Sequence, residues 1–225
     1  NPLPVVIKIF KGLISVLKGS PFNKAQYLET LKMLNDLFML ARKAGMVKLE
    51  EDVENPDKSE VFKKYPKFLV NHHAVHFVCD TLRMAISGGV PAFDLDQMME
   101  MDMEVHHHET TQPISALTTV ADALPGLGIV AAVLGVVITM GSLGGPPEEI
   151  GHKVAAALVG TFLGILICYG FLGPLAGNLT KMADAETDYF RCLRQGVMAF
   201  VKGSAPALAI RSEEHTSELQ SLRHL

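Results

Sequence analysis

Two uncharged stretches, separated by only six residues, leave this chain few ways to fold. One runs from Ala123 to Pro147 (ALPGLGIVAAVLGVVITMGSLGGPP) and the other from Val154 to Thr180 (VAAALVGTFLGILICYGFLGPLAGNLT), with Glu148 to Lys153 between them. A bilayer-spanning helix takes about 20 mostly apolar residues, and each run supplies them with room to tilt. Globular helices seldom run this long without one charge, so a buried helix pair in a soluble core is the weaker reading. The pair reads as a transmembrane helical hairpin whose two outer ends emerge on the same side of the membrane.

Outside the hairpin the apolar residues recur at helical spacing. Asn23–Lys43 carries Tyr27, Leu28, Leu31, Leu34, Leu37, Phe38 and Ala41 on one face, and Gly45 ends it. A short charged helix follows over Val47–Glu54, broken by Asn55-Pro56-Asp57. Lys67–Ser87 reads as a single helix closed by Gly88-Gly89. Phe93–Glu109 is helical and acidic and is expected to run into the first span, with Pro113 a kink. Leu179–Lys202 is expected to continue out of the second span as a packed helix. No segment alternates with period two. The expected fold class is therefore all-α: a transmembrane hairpin with a helical domain in water.

The expected divisions are an amphipathic juxtamembrane helix over 1–18, a cytoplasmic helical domain over 19–117, the hairpin over 118–178 with spans at about 123–144 and 154–176, and a cytoplasmic helix over 179–210. In the first, Val6, Ile9, Phe10, Leu13, Val16 and Leu17 oppose Lys8, Lys11 and Lys18, the pattern of a helix lying in the membrane interface. Residues 211–225 (RSEEHTSELQSLRHL) have no helical or strand period and match the conceptual translation of a sequencing adapter. They are expected to be non-native, His215 and His224 included. Lys153 is the only basic residue between the two runs, whereas Lys181, Arg191 and Arg194 follow the second. That bias favours an external connection and cytoplasmic flanks.

Composition excludes some classes. The net charge is −4 with no Trp and four Tyr, which gives nucleic-acid binding no basic or aromatic footing. The three cysteines, Cys79, Cys168 and Cys192, show no disulfide or zinc spacing. His72 and His76 stand four apart, and His106-His107-His108 follows a Met- and acid-rich run, but no HExxH or Cys pair completes a metal site. A metal-responsive membrane transporter is the alternative these residues raise; it needs an acid or His inside the membrane.

The spans hold no such residue. Asp122 lies at the edge, and the interior offers only neutral polar groups such as Thr139, Thr161, Cys168 and Tyr169. An intramembrane ionisable residue is the usual mark of an ion path, so if ions pass here a partner brings the carboxylate. Small residues at Gly128 and Ala132, and at Gly160 and Gly164, suit close helix packing. Contact between subunits is favoured over seating the hairpin on itself. Pro125 and Pro174 each remove an amide donor near the same membrane face, which suggests a hinge in each span.

The sequences LPGLGIVAAVLGVV and VGTFLGILICYGFLGPLA, with LARKAGMVKLEEDVENP (Leu40 to Pro56) upstream, resemble the MotA/PomA family of flagellar stator subunits, within the MotA/TolQ/ExbB superfamily. The likeness covers roughly Lys11 to Ala209. It implies a multi-pass protein of the bacterial inner membrane that is not an enzyme and carries no cofactor. Such proteins have four spans, so the chain is expected to lack the first two and the family's later tail. The family forms a ring, described as a pentamer, embedded in membrane lipid around two copies of a MotB-like partner that bears the ion-binding Asp. Ion passage, expected to be of protons rather than sodium, turns the ring, and its cytoplasmic domain pushes the flagellar rotor switch protein. By motif position the resemblance makes Arg42 and Glu50 rotor contacts and Pro125 and Pro174 coupling prolines. It also makes Thr161 an ion-path residue, with Tyr169 following on the same helix. A TolQ/ExbB-like energiser of outer-membrane processes is the nearer alternative.

Overall fold

The computed structural model describes residues 22–141 and 144–203, together with Val5, Ile7, Ile9, Gly12, Ile14, Val16 and Gly19. Most of the expected interfacial helix over 1–18 and all of the expected tail over 211–225 lie outside the described residues. Among those described, helix is the only regular structure. In order these are α1 (Lys24–Ala44), α2 (Met46–Glu54), a 3-10 turn (Phe62–Lys64), α3 (Pro66–Val70), α4 (His72–Ser87), α5 (Ala92–Met140), α6 (Pro147–Ile165), a π-helical segment (Leu166–Leu172) and α7 (Gly173–Val201).

The helix ends follow from side chains the sequence displays. Asn23 accepts a hydrogen bond from the Gln26 amide at 3.0 Å and starts α1. Gly45, at φ 88°, turns the chain from α1 into α2, and Gly88, at φ 69°, closes α4; both conformations favour glycine. The expected single helix over Lys67–Ser87 is divided at Asn71, whose side chain accepts from the Ala74 amide at 3.1 Å and so begins a new helix. Glu148 to Lys153, expected to be the connection, forms the first turns of α6 instead. Pro147 sits at the start, where a missing amide costs nothing, and Glu148 and Glu149 lie in the first turn, where the helix dipole favours acids. The helix that carries the first apolar run ends at Met140.

The chain divides into two compact units. One comprises Ser20–His108 with Asp184–Leu225. Its core is formed by Leu34, Phe38, Leu49, Phe62, Leu82 and Leu193, all essentially inaccessible, with further apolar residues around them. Thr30 and Tyr189 share a buried hydrogen bond of 2.9 Å, which satisfies both hydroxyls. Arg194 reaches Asp96 at 2.6 Å and Glu100 at 3.2 Å, tying α7 to α5.

The other unit comprises Asn1–Gly19 with Glu109–Ala183. It contains the hairpin. Its most apolar windows are only 11% and 17% buried, whereas a soluble core helix would be mostly enclosed. Ile129, Val133, Leu134, Val137, Leu158 and Phe162 are among the large apolar side chains left exposed. So much exposed hydrocarbon on two helices of spanning length places this unit in a membrane. Pro113 and Pro125 lie inside α5, which continues through both.

Candidate functional site

The hairpin seam is made by residues too small to hold the helices apart. A Cβ added at Gly128 would lie 2.9 Å from the Gly160 carbonyl and 3.0 Å from the Thr161 Cα. One added at Gly164 would lie 2.6 Å from the Leu124 carbonyl and 3.3 Å from the Gly128 Cα. A Cβ on Gly135 would collide with Ala157, and one on Gly160 would lie 3.1 Å from the Ala131 Cβ. Gly128, Gly160 and Gly164 thus stand where the two helices of the hairpin approach most closely within one chain. Ala131 meets Gly160, and Ala132 is half-buried.

Thr161 belongs to the same seam. Its hydroxyl donates to the Gly128 carbonyl at 3.1 Å, across 33 residues of chain. Both glycine and hydroxyl serve one purpose here: backbone comes close, and the carbonyl receives a second donor. Pro125 is half-buried and follows Leu124, whose carbonyl faces Gly164.

Tyr169 is placed apart from these. It lies in the π-helical segment and is 71% exposed. In that segment amides bond five residues back, as the Gly173 amide does to the Cys168 carbonyl. Pro174 follows at once, is exposed, and has no amide. In the π register the Tyr169 carbonyl would be served by residue 174, and in the α register by Gly173, which already bonds to Cys168. The helix therefore leaves the Tyr169 carbonyl without its regular donor, beside an exposed tyrosine. The glycine-proline step within an apolar run was the only sequence signal for this irregularity. Such segments are frequent at functional sites.

Arg42 and Glu50 are both exposed, one in the last turn of α1 and the other in α2. The helices that carry them pack through Leu37, Ala41, Leu49 and Val53, so the corner at Gly45 presents charge from a fixed base. Lys48 and Glu51 form a 2.8 Å ion pair on the surface beside them. Asp52, the next residue, is buried, and its Oδ2 has no hydrogen-bond partner. Exposure does not distinguish Arg42 and Glu50 from the charged residues Lys43, Lys48 and Glu51 around them.

The histidines do not converge on a metal. His76 is exposed and lies 4.0 Å from Asp80. His73 and His106 instead stack face to face, with ring centroids 3.9 Å apart and planes 13° from parallel. No group of three metal-ligating side chains stands together among the described residues.

These features, an uncharged hairpin with a glycine seam and helices that pass into a separate helical unit, are met elsewhere. The model of the MotA/TolQ/ExbB proton channel family matches residues 70–191. The chain belongs to this family. Motility protein A of Escherichia coli (strain K12) is 38% identical over 225 residues, covering 97% of this chain and 76% of the relative. Chemotaxis protein LafT of Vibrio parahaemolyticus serotype O3:K6 (strain RIMD 2210633) is 35% identical over 93% of this chain and 74% of its own length. Among solved structures, the flagellar MotAB stator complex from Bacillus subtilis matches with a TM-score of 0.73 at 23% identity, covering 94% of this chain and 75% of that one. The MotAB structure of C. jejuni matches with the same score at 19% identity. At those identities the two structures establish the fold, and it is the all-α membrane fold expected from the apolar runs. Membership of a proton channel family, with relatives named for motility and chemotaxis, does not favour the metal-responsive transporter.

Proposed function

We propose that this chain is a subunit of an ion-driven flagellar stator, coupling ion flow across the bacterial inner membrane to torque on the rotor. The observation that carries the reading is the continuity of helix between the two units. α5 and α7 each belong partly to the membrane unit and partly to the helical one. The hairpin and the domain that bears Arg42 and Glu50 are thus joined through helical chain rather than through a loop. The motility names of the relatives favour a rotor as the load, rather than the outer-membrane processes of the energiser alternative. The hairpin connection lies outside and both flanks in the cytoplasm.

The spans carry no acid, so a MotB-like partner supplies the ion-binding Asp, and several copies of this chain ring it as a pentamer. The proton is the coupling ion. Arg42 and Glu50 meet the rotor switch protein. Exposed ion pairs are worth only about 0–1 kcal/mol each, which suits a contact made and broken repeatedly. Pro125 and Pro174 couple ion movement to the flanks, and Thr161 and Tyr169 line the path.

The test is a chimera in which this chain replaces the corresponding region of Escherichia coli Motility protein A, expressed with a MotB-like partner in a strain lacking its own stator. Swimming is expected. In the same chimera Arg42→Glu with Glu50→Lys should abolish most of it while membrane insertion and recovery with the partner stay normal. A chimera that assembles but never turns the motor would overturn the reading. Full swimming with both charges reversed would remove the rotor-contact role.

Thr161→Val separates seam from path. It keeps the shape and removes one hydrogen bond, worth about 0.6 kcal/mol between membrane helices. The complex should therefore assemble with little loss of thermal stability. Ion conductance in vesicles should fall several-fold. Unchanged conductance would confine Thr161 to the seam.

A further inference from the structure

The helical unit contains a side-chain cluster that torque transmission does not require. His73 on α4 stacks on His106 of α5 at 3.9 Å, and Phe190 of α7 closes the edge, 4.8 Å from the His73 ring and 5.2 Å from that of His106. The His73 Nε2 is enclosed and has no hydrogen-bond partner. His106 Nε2 stands 3.2 Å from a Glu186 carboxylate oxygen. Three helices therefore meet at two imidazoles, and one of those rings has a counter-charge at hand.

We propose that the His73–His106 stack is a pH-sensitive latch that holds α4 against α5 and α7 while His73 is neutral and releases α4 when both rings are protonated. One charge is accommodated, because the His106 Nε2 stands 3.2 Å from a Glu186 carboxylate oxygen. The second is not. It would set two positive rings face to face at 3.9 Å and leave a charged ring whose enclosed Nε2–H meets no acceptor. The charged and titratable groups facing His73 are His76 on its own helix, Asp102 and His106 on α5, and Glu186 on α7. The two acids draw its affinity for protons up; burial, first, and the neighbouring histidines push it down, and the balance is downward. The direction fixes the pH window. A histidine with a lowered folded value contributes full stability above the ordinary histidine value of about 6.5, and that contribution is lost as pH falls through the lowered one.

This latch does not rest on the stator reading, since its opening can be observed without ion flow. Hydrogen exchange of the full chain in lipid nanodiscs is compared at pH 7.5 and pH 5.5, corrected for intrinsic rates, for the wild type and for His73→Phe, which keeps a stacked ring and cannot take a proton. In the wild type, protection across His72–Ser87 should fall by about tenfold or more on acidification, as for a local opening. In His73→Phe it should persist. Equal loss in both proteins, or no loss in the wild type, would overturn the proposal. A second measurement needs no variant: the ring carbons of His73, followed by NMR in the wild type, should titrate below the ordinary value, and titration at or above it would also overturn the proposal.

Discussion

Gly164→Ala should part the membrane hairpin, although it adds a single methyl group. The new Cβ would lie 2.6 Å from the Leu124 carbonyl and 3.3 Å from the Gly128 Cα. Both obstacles are backbone, so no side chain can rotate away, and one helix must move. Overpacking of this kind costs about 1–3 kcal/mol, and for a chain of this size each kcal/mol lowers the melting midpoint by about 2–4 °C. Gly177→Ala is the control. Nothing lies within 4 Å of a Cβ there, and the residue is inside α7. Alanine should be neutral or stabilising, because glycine in a helix interior is about 1 kcal/mol less favourable. Thermal melts of both variants in the same detergent decide the matter. A Gly164→Ala protein that melts no lower than Gly177→Ala would show that the seam does not bear the close contact described here.

The seam also shows where the sequence stops being readable. Uncharged runs of spanning length, Asn at a helix start and Gly at a helix end each act within a few residues, so α1, α2 and both membrane helices were legible. The small residues were legible as a packing face. Their close approach within one hairpin was not, because small residues at this spacing suit a neighbouring subunit as well as the chain's own second helix. Which small residue meets Gly160 depends on the rotation of one helix about its axis, and that rotation places Ala131 there. The π-helical segment was hidden for a different reason. It shifts hydrogen bonds by one residue without changing composition, and only Gly173-Pro174 hints at it. The division at Asn71 and the start of α6 at Pro147 are capping effects that a continuous periodicity conceals. The His73–His106 stack joins residues 33 positions apart, from two helices, and no local pattern announces it. Arg42 and Glu50 were readable only through resemblance, since exposed charge beside Lys43, Lys48 and Glu51 carries no mark of its own.

Phe190→Ala is expected to destabilise the helical unit strongly. Phe190 is 1% exposed. Its ring stands edge-on to Phe77 at 5.2 Å and to Tyr189 at 5.8 Å, and it borders both stacked histidines. Removing a buried phenylalanine side chain costs about 3–5 kcal/mol, because its transfer energy is lost and a cavity remains. Domains are typically stable by only about 5–15 kcal/mol, so the variant should unfold this unit on the order of 10 °C earlier. Phe190→Leu refills most of the volume and should cost less than about 1.5 kcal/mol. Limited proteolysis separates the two units. Cleavage should rise within α1 to α4 in Phe190→Ala, while Glu109–Ala183, which contributes no ring to this cluster, stays protected and membrane-bound. If the stator reading holds, motility should fail with the helical unit even though the hairpin persists, because α5 and α7 would then end in a domain unable to bear load. Protease resistance equal to the wild type would mean that the aromatic cluster is not what holds the unit together.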